Sequence, residues 1–354
     1  MAPREMHCQS PFQSSVLNSP FPLYQQTPPS PSVELEVTHL KLSSPAELAP
    51  KESSTTPPAW TICQTLDIKL TKPQTLITPS VLECLSLPAE LDFAQSIVLF
   101  GQAPIWLYSH LISQCLETSA HIPWIGTYDA RGQQVVIVAS ATEGIAVGDT
   151  FSVFLNREPC SAILIGGPPD SGKSVFSNAL RLALRQRFPH KTTYLHRASW
   201  DGEGNWAYEA GDSDTGKPEL IKRLITLNEF RIHEDPETAK LIPGYFQYHA
   251  RTVENLRQLT DYLIIDVGGL PQVEKQPLVE KCTHYIVISR LADAVEAWHQ
   301  LCGHTLSPLA IIHSVLRSQQ DIIQTDPLEM VAGPWVTPQN AIIPPALLQH
   351  IAPL

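Results

Sequence analysis

The chain is short of positive charge: 24 Lys and Arg stand against 35 Asp and Glu in 354 residues, a formal net charge of −11. A general basic surface for duplex DNA or RNA is thereby excluded, because the phosphate attraction that dominates such binding is reversed. An anionic ligand must be held by a local site. Cysteine is also scarce, with seven scattered residues and no CxxC pair, which fits neither a disulfide framework nor a zinc ribbon. Apolar runs such as Ala162-Ile163-Leu164-Ile165 and Tyr262-Leu263-Ile264-Ile265 stop far short of the ~20 residues that a membrane-spanning helix needs. No basic segment leading into an apolar core opens the sequence, so no secretion signal is expected. These absences point to a soluble protein of a reducing compartment, cytoplasmic, with no membrane partner.

Proline, by contrast, is abundant at 32 residues, and it gathers early. Residues 1–59 are rich in Pro, Ser, Thr and Gln, a composition that buries too little surface to offset the backbone entropy of ordering, so disorder is expected there. Val33-Glu34-Leu35-Glu36-Val37 is a short exception that alternates like a strand. From Trp60 the pattern turns regular. Leu66–Leu70 alternates with period two, Ile97–Phe100 reads as a buried strand, and Pro104 opens a helix with Leu107, Leu111 and Cys115 on one face. Strands are expected again at Pro123–Tyr128, Gln134–Val138 and Phe151–Leu155. The sequence thus predicts a small α+β domain over 60–156. Beyond it, near-continuous apolar strands at Ala162–Ile165, Thr193–His196, Tyr262–Ile265, Tyr285–Ile288 and Leu309–Ile312 alternate with helices. That is the pattern of a mostly parallel sheet covered on both faces, an α/β domain over 157–354.

The second domain carries the most specific signal. Gly167-Pro168-Pro169-Asp170-Ser171-Gly172-Lys173-Ser174 matches GxxxxGK[ST] in full, directly after a strand and directly before a helix, as the motif requires. Backbone N–H groups of such a loop surround the β-phosphate of ATP or GTP, Lys173 neutralises β/γ charge, and Ser174 binds magnesium. The magnesium-organising acid is expected at Asp266, after four hydrophobes. The next residue is Val267, not the glutamate with which AAA-type ATPases activate water, and Asp266-Val267-Gly268-Gly269 resembles kinase-like and switch-type relatives. Asp201, just beyond the second strand, is placed to position an acceptor hydroxyl or a water. Lys222, Arg223 and Arg231 suit a solvated helix face or a lid over phosphates, and Arg290 is a candidate to touch nucleotide.

In the first domain His121 and Asp129 stand eight positions apart, at the two ends of one expected strand, where imidazole can move protons or bind metal and carboxylate can bind metal. Arg131 can hold a phosphodiester with paired N–H donors. Gly101-Gln102-Ala103-Pro104-Ile105-Trp106-Leu107-Tyr108, then His121, then Tyr128-Asp129-Ala130-Arg131 resemble the small CRISPR-associated ring-nuclease family of type III systems, with Gln102 where that motif has arginine. The resemblance covers about Trp60 to Asn156. It implies a ring-nuclease-like domain fused to a P-loop NTPase domain, manganese-dependent cleavage of a cyclic oligoadenylate RNA, cyclic tetra-adenylate, and a homo-oligomer that sandwiches the ring. It makes His121, Asp129 and Arg131 catalytic and gives His121 and Asp129 the metal. Two alternatives stay open: a P-loop phosphotransferase acting on a nucleotide or RNA, and a binding-only nucleotide sensor.

Overall fold

The computed structural model describes residues 32–43, 60–71, 77–199, 236–337 and 341–354. They form two units. The first is a closed six-stranded barrel of β1 (Val33–Ser43), β2 (Trp60–Leu70), β3 (Ile97–Gly101), β4 (Trp124–Asp129), β5 (Gln134–Ser140) and β6 (Thr150–Phe154). Strands β2, β3 and β4 run parallel, and helix α1 (Ile105–Thr118) makes the crossover between β3 and β4. The crossover is helical because Leu107, Leu111 and Cys115 recur at i, i+4 and i+8 and are fully buried, giving the helix one apolar stripe. That stripe packs on Leu66, Ile97, Leu99 and Ile125. The alternate strand residues, among them Val98, Val135, Ile137 and Phe151, form a separate cluster, as the period of two in a strand dictates.

Strand β1 corrects the expected start of order at Trp60. It lies inside the Pro/Ser-rich segment, extends the alternation seen at Val33–Val37, and pairs antiparallel with β2 over eleven positions, from Val33↔Leu70 to Ser43↔Trp60. It then closes the barrel through Lys41↔Phe154 and Leu42↔Val153. Val33 and Leu42 are buried. The strand is held by partners far along the chain, which local composition does not report.

The second unit is a seven-stranded sheet in the order β12-β13-β11-β10-β7-β9-β8, made of β7 (Ser161–Gly166), β8 (Thr193–Ala198), β9 (Tyr262–Val267), β10 (His284–Ser289), β11 (Ser307–Ser314), β12 (Gln319–Thr325) and β13 (Leu328–Gly333). All neighbours are parallel except β12 and β13. Helices α2 (Lys173–Arg187) and α5 (Pro345–Ile351) cover one face, α3 (Ile242–Arg257) and α4 (Ala292–Cys302) the other. Both faces being covered, β7 and β9 are apolar along nearly their whole length, as the runs in the sequence predict. β12 shows no such run: it is a polar edge strand, exposed along most of its length, and its antiparallel hairpin with β13 is not apparent from apolar patterning.

Candidate functional site

The parallel strands end together, and at that edge β7 passes into the loop Gly167–Gly172. The loop's path is set by two glycines. Gly167 has φ +149°, and a Cβ there would stand 2.1 Å from the carbonyl oxygen of Ile288 in β10; Gly172 has φ +88°, and its Cβ would stand 2.4 Å from Cβ of Trp335. Only a residue without a side chain fits either place. Gly172 caps α2, so Lys173 and Ser174 open the helix and its first N–H groups point out of the helix end into the loop. Lys173 is buried, and its Nζ donates to the carbonyl of Pro168 at 2.8 Å, folding back over the loop. The hydroxyl of Ser171 is buried inside the loop with no hydrogen-bond partner among the described residues.

Register brings the acid to this loop. Asp266 lies beside Ile165 of β7 on one side and Arg197 of β8 on the other. It is 5% exposed, hydrogen-bonds Ser174, and is 3.3 Å from an Arg197 guanidinium nitrogen. Burial pushes its carboxyl upward in pKa, while Arg197, Ser174 and Lys173 pull it down. A cleft of about 280 Å³ opens over Lys173, Ser174, Arg197, Ser199, Asp266 and Gly269. Gly269 permits its close walls: a Cβ there would lie 2.6 Å from the backbone nitrogen of Pro169. The donors that converge are a hydroxyl and a carboxylate, an oxygen set suited to magnesium. The cradle without side chains and the unpartnered Ser171 hydroxyl suit a phosphate chain.

Expected residues outside the site are as informative. Arg290 is exposed at the end of β10 and does not line the cleft. Asp201, Lys222, Arg223 and Arg231 lie outside the described residues. Three groups escape the sequence reading. Arg197 is the ion-pair partner of Asp266. Lys275 is fully buried, donates to the carbonyl of Leu270, and lies 5.4 Å from the Phe246 ring centroid. His196 and His249 are buried with 2.7 Å between Nε2 and Nδ1. Burial first, then the neighbouring imidazole and Arg131, hold His196 below the ordinary imidazole range; burial and Arg131 do the same to His249. The signal that could have exposed Arg197 is a charge inside an otherwise strand-like run ending at the ligand edge.

The barrel separates residues that the motif groups. His121 is exposed in the turn before β4, its backbone N–H donating to Ser119 Oγ at 3.2 Å. Asp129 is the last residue of β4. At about 3.3 Å per residue the strand between them spans about 17 Å, so His121 and Asp129 of one chain do not share an ion, which corrects that part of the expectation. Among the described residues no three His, Cys, Asp or Glu gather to hold a metal. Asp129 closes the β4–β5 turn instead: Oδ1 accepts the Arg131 N–H at 3.0 Å and Oδ2 accepts Gln134 Nε2 at 3.4 Å. Arg131 lies at the junction of the units, its carbonyl accepting Asn255 Nδ2 at 2.8 Å. The Gly101-to-Tyr108 run has a structural basis, too: Tyr108 Oη donates to the Gly101 carbonyl at 2.6 Å, and Gly101 has φ +132° with Ile68 packed against it.

Residues 70–152 match the family described as CRISPR-associated protein (Cas_csx3). The match runs from the end of β2 into β6 and leaves the P-loop unit outside it. No curated protein matches the chain. Among solved structures, the chain is similar to the septum site-determining protein MinD complexed with Mg-ADP from Pyrococcus horikoshii OT3 (13% identity, 44% of this chain and 70% of that one, TM-score 0.32). It is also similar to a putative plasmid partition protein from Borrelia burgdorferi B31 bound to AMPPNP (14% identity, 44% and 76%, TM-score 0.30) and to the kinase domain of Escherichia coli tyrosine kinase ETK (16% identity, 42% and 66%, TM-score 0.29). Its strand order and the loop from Gly167 to Ser174 make the second unit a P-loop α/β fold. No described helix is long and apolar enough to cross a membrane.

Proposed function

We propose that the second unit binds ATP or GTP with magnesium and that the first unit binds and cleaves a cyclic oligoadenylate. The observation that carries the first half is the meeting of Lys173, Ser174 and Asp266 at the first turn of α2. Loop N–H groups and the positive helix end receive the phosphates. Lys173 turns from the Pro168 carbonyl to the β/γ oxygens. Ser174 and Asp266 hold the magnesium, which when bound neutralises and orients the phosphates. Arg197 balances the buried Asp266 charge when no cation is present.

The second half is supported by the match of residues 70–152 to the CRISPR-associated family and by the resemblance at Gly101–Tyr108 and Tyr128–Arg131. In this reading His121 protonates a leaving oxygen and Arg131 grips phosphate. His121 and Asp129 stand at opposite ends of β4, and in this reading two chains meet on one ring, so a homo-oligomer is part of it. Manganese shared by the two residues within one chain does not fit the length of the strand, and no step is routed through it. The test is to incubate the full chain with cyclic tetra-adenylate, magnesium or manganese, and ATP in every combination, resolving all nucleotide products. Ring decay that disappears in His121→Ala is expected; a ring that persists with the unaltered chain refutes the cleavage.

A second reading, transfer of the terminal phosphoryl group to an acceptor instead of to water, is favoured by one observation. The position after Asp266 is the buried Val267, which offers no carboxylate to activate water. Labelled γ-phosphate recovered on a nucleotide or RNA, and not as free phosphate, selects it.

A further inference from the structure

The barrel and the P-loop unit meet around a cleft that neither forms alone. Its two hollows, about 320 and 490 Å³, share Gly101 and Gln102 of the barrel and Thr193 and Tyr194 of β8 as walls. Both volumes fall within the roughly 300–1,000 Å³ of small-molecule sites. Helix α2 supplies Ser174, Asn178, Arg181 and Arg185, spaced i, i+4, i+7 and i+11. They form one stripe along the helix, leading from the magnesium-binding serine away from the triphosphate loop.

Charge decides what chemistry suits the cleft. Arg181, Arg185, Arg197 and Lys191 line it, and no Asp or Glu does so among the described residues, in a chain whose acids outnumber its bases 35 to 24. Arg197 serves Asp266, Arg181 donates to Asn178 Oδ1 at 2.9 Å and Lys191 to Tyr262 Oη at 2.9 Å; Arg185 lies furthest along the stripe. Arg185 is half-buried, and burial lowers its pKa, so its guanidinium is partly stripped of water. A phosphate restores to such a group what water provided, through paired N–H donors. The larger hollow ends in apolar and aromatic walls, with Phe100 and Tyr128 ring centroids 4.9 Å apart. The hydroxyls of Tyr128 and Thr193 are buried without a hydrogen-bond partner among the described residues, and Thr193 is only 7% exposed. Unmet buried hydroxyls are uncommon in folded proteins and call for a partner.

We propose that this cleft is a second nucleotide site, distinct from the triphosphate loop, which takes a terminal monophosphate: the phosphate on Arg185, the base against Phe100 and Tyr128. The site needs no catalysis in either unit, so it stands or falls apart from the proposed function. A nucleoside monophosphate and the phosphorylated end of a short oligonucleotide share this chemistry.

The test is calorimetric titration of the full chain with AMP, with 5′-phosphorylated diadenylate and with unphosphorylated diadenylate. One site per chain is expected, at least tenfold tighter for a terminally phosphorylated probe than for the unphosphorylated one; which phosphorylated probe binds better distinguishes the two sources. Arg185→Glu is expected to weaken that binding at least tenfold while leaving the affinity for magnesium AMPPNP within twofold. Tyr128→Phe, which keeps the ring and its packing, is expected to weaken the probe severalfold with no loss of thermal stability, and it decides the matter if Arg185→Glu fails to fold. Equal affinity for all three probes, no binding, or phosphorylated-probe binding unchanged in both variants would overturn the proposal.

Discussion

At the scale of single residues, the account rests on groups whose neighbours constrain them. Gly172 is one. With φ +88° and Trp335 at 2.4 Å from where a Cβ would stand, Gly172→Ala should bear the left-handed cost of about 1–2 kcal/mol and displace the start of α2. An affinity for magnesium AMPPNP reduced at least tenfold is the expected titration result. The buried histidines give a pH signature. Burial holds both folded pKa values below the ordinary imidazole value of 6.5, at about 3 for His196 and about 4 for His249, so the unfolded chain binds protons that the folded chain refuses. Their contribution is fully present above pH 6.5 and is lost as pH falls toward 4 and then 3, with a slope of up to about 1.4 kcal/mol per pH unit for each histidine. Denaturant unfolding between pH 7 and 5 should show this fall, and His249→Gln should flatten it. The loop residues from Gly167 to Ser174 and Asp266 were legible because each belongs to a local pattern. Arg197, His196 and His249 were not, since their meaning comes from register between strands and from a helix packed across the sheet.

At the scale of elements, apolar periodicity located most strands and the helix stripe of α1 without help from tertiary context. It failed where an element is stabilised from a distance. β1 was legible only as a short alternation, because its hydrogen bonds come from β2 and its closure from β6; β12 was invisible because an exposed edge strand has no apolar face to report. The separation of His121 from Asp129 is an element-scale fact as well, set by the length of β4. If β1 is integral to the barrel, Leu42→Asp, which puts a charge among Val98, Val135 and Phe151, should destabilise it by several kcal/mol, the order expected for a buried unpaired charge. A lowered melting temperature with dye binding to exposed apolar surface is the expected outcome, and an unchanged melt would place β1 outside the core.

At the scale of the whole molecule, polar contacts that join the two units among the described residues include Asn255 with the Arg131 carbonyl and Gln133 Nε2 with Gln258 Oε1 at 3.1 Å. Each such bond contributes about 0.5–1.5 kcal/mol net, so Asn255→Ala should loosen the junction without unfolding either unit. Calorimetry should then show the two units melting further apart than in the unaltered chain. Patterning in the sequence predicts two units with a boundary near residue 157; it does not report that Arg131 faces the P-loop unit, because no local pattern encodes which surfaces meet. Isothermal titration of the full chain with magnesium AMPPNP decides whether the second unit is a nucleotide site. One site per chain is expected, weakened at least tenfold in Lys173→Ala and made insensitive to magnesium in Asp266→Asn. Affinity equal to that of the unaltered chain in Lys173→Ala would contradict it.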